Sequence, residues 1–412
     1  MKTIAFHTLG CKLNFAESSF LAGGFMERGY VQVAFKEKAD VYVINTCTVT
    51  QVAEKKCRNA IRQANKLNPD AIVAVIGCMS QLKDSEIEQI EGVDIILGND
   101  DKRKLIELVE NHKKDTAVEN HVCDISRMHS FYPSYSSSDR TRSFLKIQDG
   151  CDYFCTYCAI PYSRGRSRSG DIASTVACAE ELAKQGKKEV ILTGVNIGEF
   201  GKQSGETFLE LIRELDKIEG IERYRISSIE PNLITEETVD FCARSHKFLP
   251  HFHIPLQAGS NKILHLMRRK YDRDLFAERV NYINFRMPQA FIAADVIVGF
   301  PHETAAALHV FTYSERPGTP AAVMPESVPM SERHRRSMEL QKLSDQKKEA
   351  FYQANKGRKV SILWEADNED GMMYGFTENY IRVGRKFDER YINEITEEII
   401  ETIDHKHKSY IL

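Results

Sequence analysis

"SFLKIQDGCDYFCTYC", residues 143–158, decides how the chain is organised. Residues 143–148 read as a short buried strand. The chain then meets Cys151, Cys155 and Cys158 at a C-x₃-C-x₂-C spacing. A loop directly after a strand of an alternating β/α unit lies where such folds gather their functional groups, at the C-terminal strand ends. Three soft thiolates suit zinc or an iron–sulfur cluster. No histidine lies within a dozen residues to complete a short zinc motif. A [4Fe–4S] cube held at three corners leaves one iron open. On spacing alone the alternatives are an incidental cysteine cluster or zinc with a distant ligand.

Outward from this loop, residues 141–330 alternate between strands and helices. Strands are predicted at 189–196, 224–230, 251–257, 291–300 and 308–314, with helices such as 172–186 and 207–218 between them. Six such units predict a partial (β/α)6 barrel. One join is physically odd. Only "PHETAAA" (301–307) separates the last two strands, whereas a parallel crossover needs roughly a dozen residues. Either a segment is missing there, or the last strand lies elsewhere.

Residues 1–128 predict a small parallel α/β domain, with strands at 3–6, 41–45, 71–77 and 93–98. Cys11, Cys47 and Cys78 each fall just past a predicted strand, the edge at which open α/β sheets gather ligands. They are predicted to converge; the alternative is that each is a small buried apolar residue. Cys57, Cys178 and Cys242 lie in helical patterns and Cys123 precedes the linker, so these four are expected to be filler. Residues 129–140, "HSFYPSYSSSDR", read as a linker. Residues 331–356 read as a charged helix capped by Ser331, with Leu340, Leu343 and Phe351 docking on the barrel. Short strands from 357 to 412 predict a small β-barrel.

The chain has 412 residues, 42% of them hydrophobic and 28% charged, which predicts two or three globular domains. Its start carries no secretory h-region, and no apolar run approaches the ~18 residues of a membrane span, so a cytoplasmic location without membrane partners is expected. In a reducing compartment ten cysteines favour metal ligation or packing over disulfides. A net charge of −3 leaves RNA contacts to local patches.

The loop "DGCDYFCTYCAIPYSRGRSRS", with Tyr157 before its last cysteine, resembles the radical S-adenosylmethionine superfamily. With "TLGCKLN", "INTC", "HIPLQAGSN" and "DVIVGFP" it resembles the radical methylthiotransferases along the whole chain. The resemblance implies two [4Fe–4S] clusters, one on Cys151, Cys155 and Cys158 and an auxiliary one on Cys11, Cys47 and Cys78, each with an open iron. It implies that S-adenosylmethionine binds the first, near Tyr157, Asn196, Glu230, Gln257, Val298 and Arg168. There one electron cleaves the sulfonium to a 5′-deoxyadenosyl radical. An external electron donor, a tRNA anticodon stem-loop and a monomeric enzyme are implied as well. The family usually has glycine where this chain has His302, and a longer segment where it has "AAA".

"RGRSRS" places Arg164, Arg166 and Arg168 on alternate positions, which predicts one shared face of an extended segment. Arginines there are bidentate partners for the cofactor carboxylate or RNA phosphates; Arg164 and Arg166 are assigned to RNA. The C-terminal module resembles the OB-like, RNA-binding TRAM domain, matching at "GFTENYIRV". Residues 351–412 carry nine Lys/Arg against twelve Asp/Glu, so RNA would bind one face: Arg358, Lys359, Arg382, Arg385 and Lys386, with Tyr380 stacking. "TLGCKLN", "CAIPYSRGRSRS" and "HVFTYSERPGTPA" look most like the branch that methylthiolates threonylcarbamoyladenosine at position 37 of tRNA. The rivals are the isopentenyladenosine and ribosomal-protein aspartate branches, a one-cluster radical enzyme, and a redox-sensing RNA-binding protein.

Overall fold

The computed structural model describes residues 1–412 except 49–50, 101, 115, 129, 137–140, 304–309, 405–406 and 408. The N-terminal unit alternates β1 (Thr3–Thr8), α1 (Lys12–Glu27), β2 (Val31–Gln32), β3 (Val41–Thr46), α2 (Gln51–Leu67), β4 (Ile72–Gly77), α3 (Cys78–Glu88), β5 (Ile95–Leu97), α4 (Leu105–Asn111) and β6 (Glu119–His121). The strands form one parallel sheet in the order β2-β1-β3-β4-β5-β6. Parallel strands are buried on both faces, and β3 is buried at all six positions, which is why it reads as an unbroken apolar run.

The central unit contains β7 (Ser134–Tyr135), β8 (Ser143–Lys146), β9 (Gln148–Asp149), α5 (Ile160–Arg164), β10 (Arg168–Ser169), α6 (Ile172–Lys184), β11 (Glu189–Thr193), α7 (Phe208–Leu215), β12 (Arg223–Ile226), α8 (Glu236–Arg244), β13 (His251–His253), α9 (Asn261–Leu266), α10 (Arg273–Arg286), β14 (Phe291–Ala293), β15 (Val296–Val298) and β16 (Val310–Thr312). β8, β11 and β12 pair in parallel. Parallel bridges continue the wall from β12 to β13 and on to β15. The wall is an open parallel barrel. Two expectations shift here. The supposed linker contributes β7, which edges β8 antiparallel; residues 129 and 137–140 of it lie outside the described residues. The strand predicted at 291–300 is two strands, one paired with β13 and the other with β16. The last strand does lie within 308–314, which leaves its short connection as the departure; 304–309 lie outside the described residues. His302, where the family usually has glycine, has φ +67°, the left-handed backbone that glycine favours.

Side chains alternate across a strand, and each barrel face has its own partner. Leu145, Val190 and Leu192 face α6, α7 and α8 in the largest core. Phe144 and Ile191 face the other way and pack on Ala16 and Phe15 of α1. Leu21 and Phe25 of the same helix pack on the N-terminal sheet. Helix α1 is therefore buried on two sides, and its sequence lacks a single apolar stripe for that reason.

Helix α11 (Met330–Asn355) docks Leu340 on Val296, Val298 and Leu256, and Phe351 on Phe291. Its N-cap is Pro329; the predicted cap, Ser331, stands inside the helix. The C-terminal module has β17 (Lys359–Trp364), β18 (Met372–Thr377), β19 (Arg382–Lys386), β20 (Ile395–Ile399), β21 (Thr402–Asp404) and β22 (Ser409–Ile411). They form one mixed sheet in the order β20-β17-β18-β19-β22-β21 around fully buried Trp364. Its order has two ends, so among the described residues the expected barrel is not closed by hydrogen bonds. The module sits at the N-terminal ends of the barrel strands. Arg225 donates to the Thr377 and Glu378 carbonyls at 2.7 and 3.1 Å, and Arg223 to Ser361 Oγ at 2.6 Å. The opposite end, where the C-terminal strand ends lie, is left to the cysteine loop.

Candidate active site

Cys151 begins one residue past β9, after Gly150. That glycine has φ +67°, and a Cβ on it would stand 2.0 Å from the Arg166 carbonyl oxygen, so no side chain fits. The loop is pinned from both sides. Cys151 N–H donates to Gly165 O at 3.1 Å, and Thr156 donates from its amide to Met267 O and from its hydroxyl to Leu266 O, at 3.1 and 2.9 Å. Burial pushes the Cys158 thiol up to about 12 and raises those of Cys151 and Cys155. Such thiols ionise when a metal takes the proton's place. Arg269, 3% exposed, donates to Cys155 Sγ at 3.0 Å and to the Tyr157 hydroxyl at 3.3 Å, and it ion-pairs with Glu230. The sequence showed Arg269 only as part of the basic run "MRRK" and gave no hint that it turns inward.

Three cysteines stand together at the C-terminal edge of adjacent strands β1, β3 and β4. Cys47 and Cys78 each follow a residue of the register pair Thr46↔Gly77. Cys11 follows Gly10 (φ +102°), whose added Cβ would lie 2.9 Å from Cys47 Sγ. Cys11 and Cys78 are near enough for their charges to interact. Asn99 donates to Cys78 Sγ at 3.7 Å. Among the described residues no three such side chains are spaced to hold a single metal ion. A cube places each thiolate on its own iron, a wider arrangement, and the all-thiol donor sets fit it. Of the cysteines expected to be filler, Cys57 and Cys242 are packed in helical cores, Cys178 is half-buried against one, and Cys123 is exposed.

Between the two trios lies a cavity of about 270 Å³. Tyr157, Cys158 and Ile160 line one side and Thr48, next to Cys47, another; Gln257, Asp295, Ile297, Tyr313 and Arg316 complete it. Gln257 and Tyr157 are therefore brought together, with Glu230 joined to them through Arg269. Both side-chain polar atoms of buried Asn196 lack a hydrogen-bond partner, as do Tyr313 Oη and Arg316 Nη2. Buried polar atoms are normally satisfied, so these orphans mark a place for a polar ligand. Burial lowers the pKa of Lys12, the neighbour of Cys11.

Other expected contacts are placed elsewhere. Val298 turns to Leu340 of α11, because alternation gives the cavity to Ile297. Arg164, Arg166 and Arg168 do not share a face: α5 ends at Arg164 and Gly165 (φ +78°) turns the chain. Arg164 is 1% exposed and bonded to Glu17, Asp149 and Asn14; Arg168 is held by Asp149 and three carbonyls. Burial with internal partners takes Arg164 from the RNA ligands and Arg168 from the cofactor ligands. Arg166 is 62% exposed and stacks on Phe154. In the C-terminal module Tyr380 turns inward onto His251 and Phe376, which corrects its assignment as a stacking platform. Arg382 and Arg385 lie on Tyr374 and Tyr391, each at 3.6 Å. Arg358 donates to Asn355 and Lys359 pairs with Glu397, while Lys386 is exposed.

An open parallel barrel whose cysteine loop follows its first strand is the architecture of a radical S-adenosylmethionine enzyme. Residues 145–311 match the model of the radical SAM superfamily, and residues 3–98 match one described as uncharacterized protein family UPF0004. The threonylcarbamoyladenosine tRNA methylthiotransferase MtaB of Bacillus subtilis is 40% identical, covering 96% of this chain and 93% of its own. That of Aquifex aeolicus is 38% identical over 93% and 96%. A dimethylallyladenosine-specific relative, the tRNA-2-methylthio-N6-dimethylallyladenosine synthase of Natranaerobius thermophilus, is 34% identical over 95% and 92%. The chain belongs to the radical S-adenosylmethionine methylthiotransferase family. The radical SAM match implies a [4Fe–4S] cluster and S-adenosylmethionine. The fold is shared with the radical S-adenosylmethionine methyltransferase TsrM of Kitasatospora setae, at 16% identity and a TM-score of 0.51 over 74% of this chain and 70% of that one. Among the described residues no helix is long and apolar enough to cross a membrane.

Proposed function

We propose that this enzyme converts N6-threonylcarbamoyladenosine at position 37 of tRNA to its 2-methylthio derivative. The observation that carries the reading is the cavity shared by the two cysteine trios, with Cys158 on one wall and the neighbour of Cys47 on another. An unpaired anticodon-loop base can be presented to such a pocket. Cys151, Cys155 and Cys158 would hold one cluster and Cys11, Cys47 and Cys78 a second. When bound, the clusters and S-adenosylmethionine supply the radical that activates adenine C2 and the sulfur that joins it; an external donor supplies the electron.

The chain's own residues orient and enclose. Glu230 offers the methionine ammonium an acceptor, and Arg269, whose nitrogens are bonded to Tyr271, Cys155, Tyr157 and Glu230, holds the Glu230 carboxylate in place. Asn196 is a further polar contact from the first strand ends. Arg316 and Tyr313 present unpartnered donors to the threonylcarbamoyl carboxylate. Tyr157 and Ile297 give the cavity apolar walls that exclude water.

Glu230→Gln is expected to weaken S-adenosylmethionine binding roughly 10- to 100-fold, the ~1.5–3 kcal/mol of a charge-assisted hydrogen bond, with iron content unchanged. Isothermal titration of the anaerobic protein checks it. Nucleoside mass spectrometry of tRNA from a strain lacking the gene tests the substrate. The methylthio form of threonylcarbamoyladenosine should vanish while the unmodified form remains. Its persistence rejects this substrate, and loss of the isopentenyl counterpart instead would assign the other tRNA branch.

A further inference from the structure

Six charged side chains, each less than a tenth exposed, form one network between the N-terminal domain and the barrel. Lys102 and Lys146 reach Glu17 at 2.5 and 2.9 Å. Arg164 bridges Glu17 at 3.0 Å and Asp149 at 2.9 Å. Lys146 and Arg168 also reach Asp149, at 2.7 and 3.2 Å. Among the described residues these four cations and two carboxylates make one buried network. Buried charges of this kind are screened little by solvent, so they act on any charged group beside them.

The network borders the auxiliary trio. Arg164 donates to Asn14 Oδ1 at 2.6 Å, and Cys11 Sγ lies 4.0 Å from the same oxygen. Asn99, close in the chain to Lys102, donates to Cys78 Sγ at 3.7 Å and to the carbonyl of Ser163, the neighbour of Arg164, at 2.6 Å. Three thiolates outweigh the positive charge of an oxidised [4Fe–4S] core, so a loaded site is anionic, and reduction adds one more negative charge. Lys102 and Arg164 are complementary in charge to that group and to its reduced form most of all, and Glu17 opposes it.

We infer that Lys102, Arg164 and Glu17 are positioning residues that set the reduction potential of the auxiliary cluster, the two cations raising it and the carboxylate lowering it. The inference rests on the two-cluster reading above. Arg164 is unsuitable as a probe, because its loss would leave Lys146 alone to bridge Glu17 and Asp149 at the domain junction. The test uses Lys102→Met and Glu17→Gln in the full chain carrying Cys151→Ala, Cys155→Ala and Cys158→Ala, so that one cluster remains. Midpoint potentials are read by redox titration with electron paramagnetic resonance.

Lys102→Met should lower the reduced-to-oxidised ratio at fixed ambient potential at least tenfold, a shift of about 59 mV for one electron, and Glu17→Gln should raise it. Shifts of the same sign, or none, overturn the inference and leave the two-cluster reading standing. Absence of any cluster in the parent triple variant overturns both.

Discussion

Cys155→Ser is expected to lower the iron content from about eight to about four per chain and to abolish release of 5′-deoxyadenosine from S-adenosylmethionine. Cys155 is buried, holds its place through the Arg269 contact at 3.0 Å, and sits on a loop closed by backbone bonds to Gly165 and Met267. A serine hydroxyl there is a poor match for a soft iron site. The loop's backbone anchors do not involve the sulfur, so the fold should survive, and circular dichroism should report a native spectrum. Anaerobic iron and sulfide analysis with chromatography of the nucleoside product gives the answer. Undiminished 5′-deoxyadenosine would remove Cys155 from the cluster.

Cys78→Ser is expected to cost the same four irons, roughly, but to spare nucleoside release while methylthio transfer falls below detection. The difference lies in where the side chain stands. Cys78 starts α3 on the N-terminal sheet, held by the Thr46 hydroxyl, which accepts from the amides of Met79 and Ser80. Its sulfur accepts from Asn99 of the N-terminal domain at 3.7 Å. Quantifying methylthiolated tRNA and 5′-deoxyadenosine in one reaction separates sulfur supply from radical formation. A one-cluster enzyme would instead show unchanged iron on losing Cys78 and complete loss of iron on losing Cys155.

The cysteines were legible in the sequence because strand ends are. β1, β3 and β4 read as apolar runs, and a residue just past a parallel strand has one place to go. What stayed illegible was any side chain whose role depends on a distant partner. Arg164 looked like an RNA ligand because alternation suggests an extended segment, and nothing local announces that α5 ends there and faces Glu17, 147 residues earlier. Tyr380 looked like an exposed platform because its loop is polar, yet the aromatic surface of His251 and Phe291 it meets comes from the barrel. Arg269 was hidden in a run of cations, of which only it points to the cysteines. Helix α1 carries no single apolar stripe because two domains divide its faces.

That last helix bears on how far this enzyme can be taken apart. Cut away from the barrel, the N-terminal domain would expose Phe15 and Ala16 and leave Glu17 facing Lys102 without Lys146 or Arg164. The barrel in turn would lose the covering of Phe144 and Ile191. Chimaeras between relatives therefore have to exchange α1 together with the inner-face residues of β8 and β11. A graft that respects only the domain boundary at the linker divides a packed core.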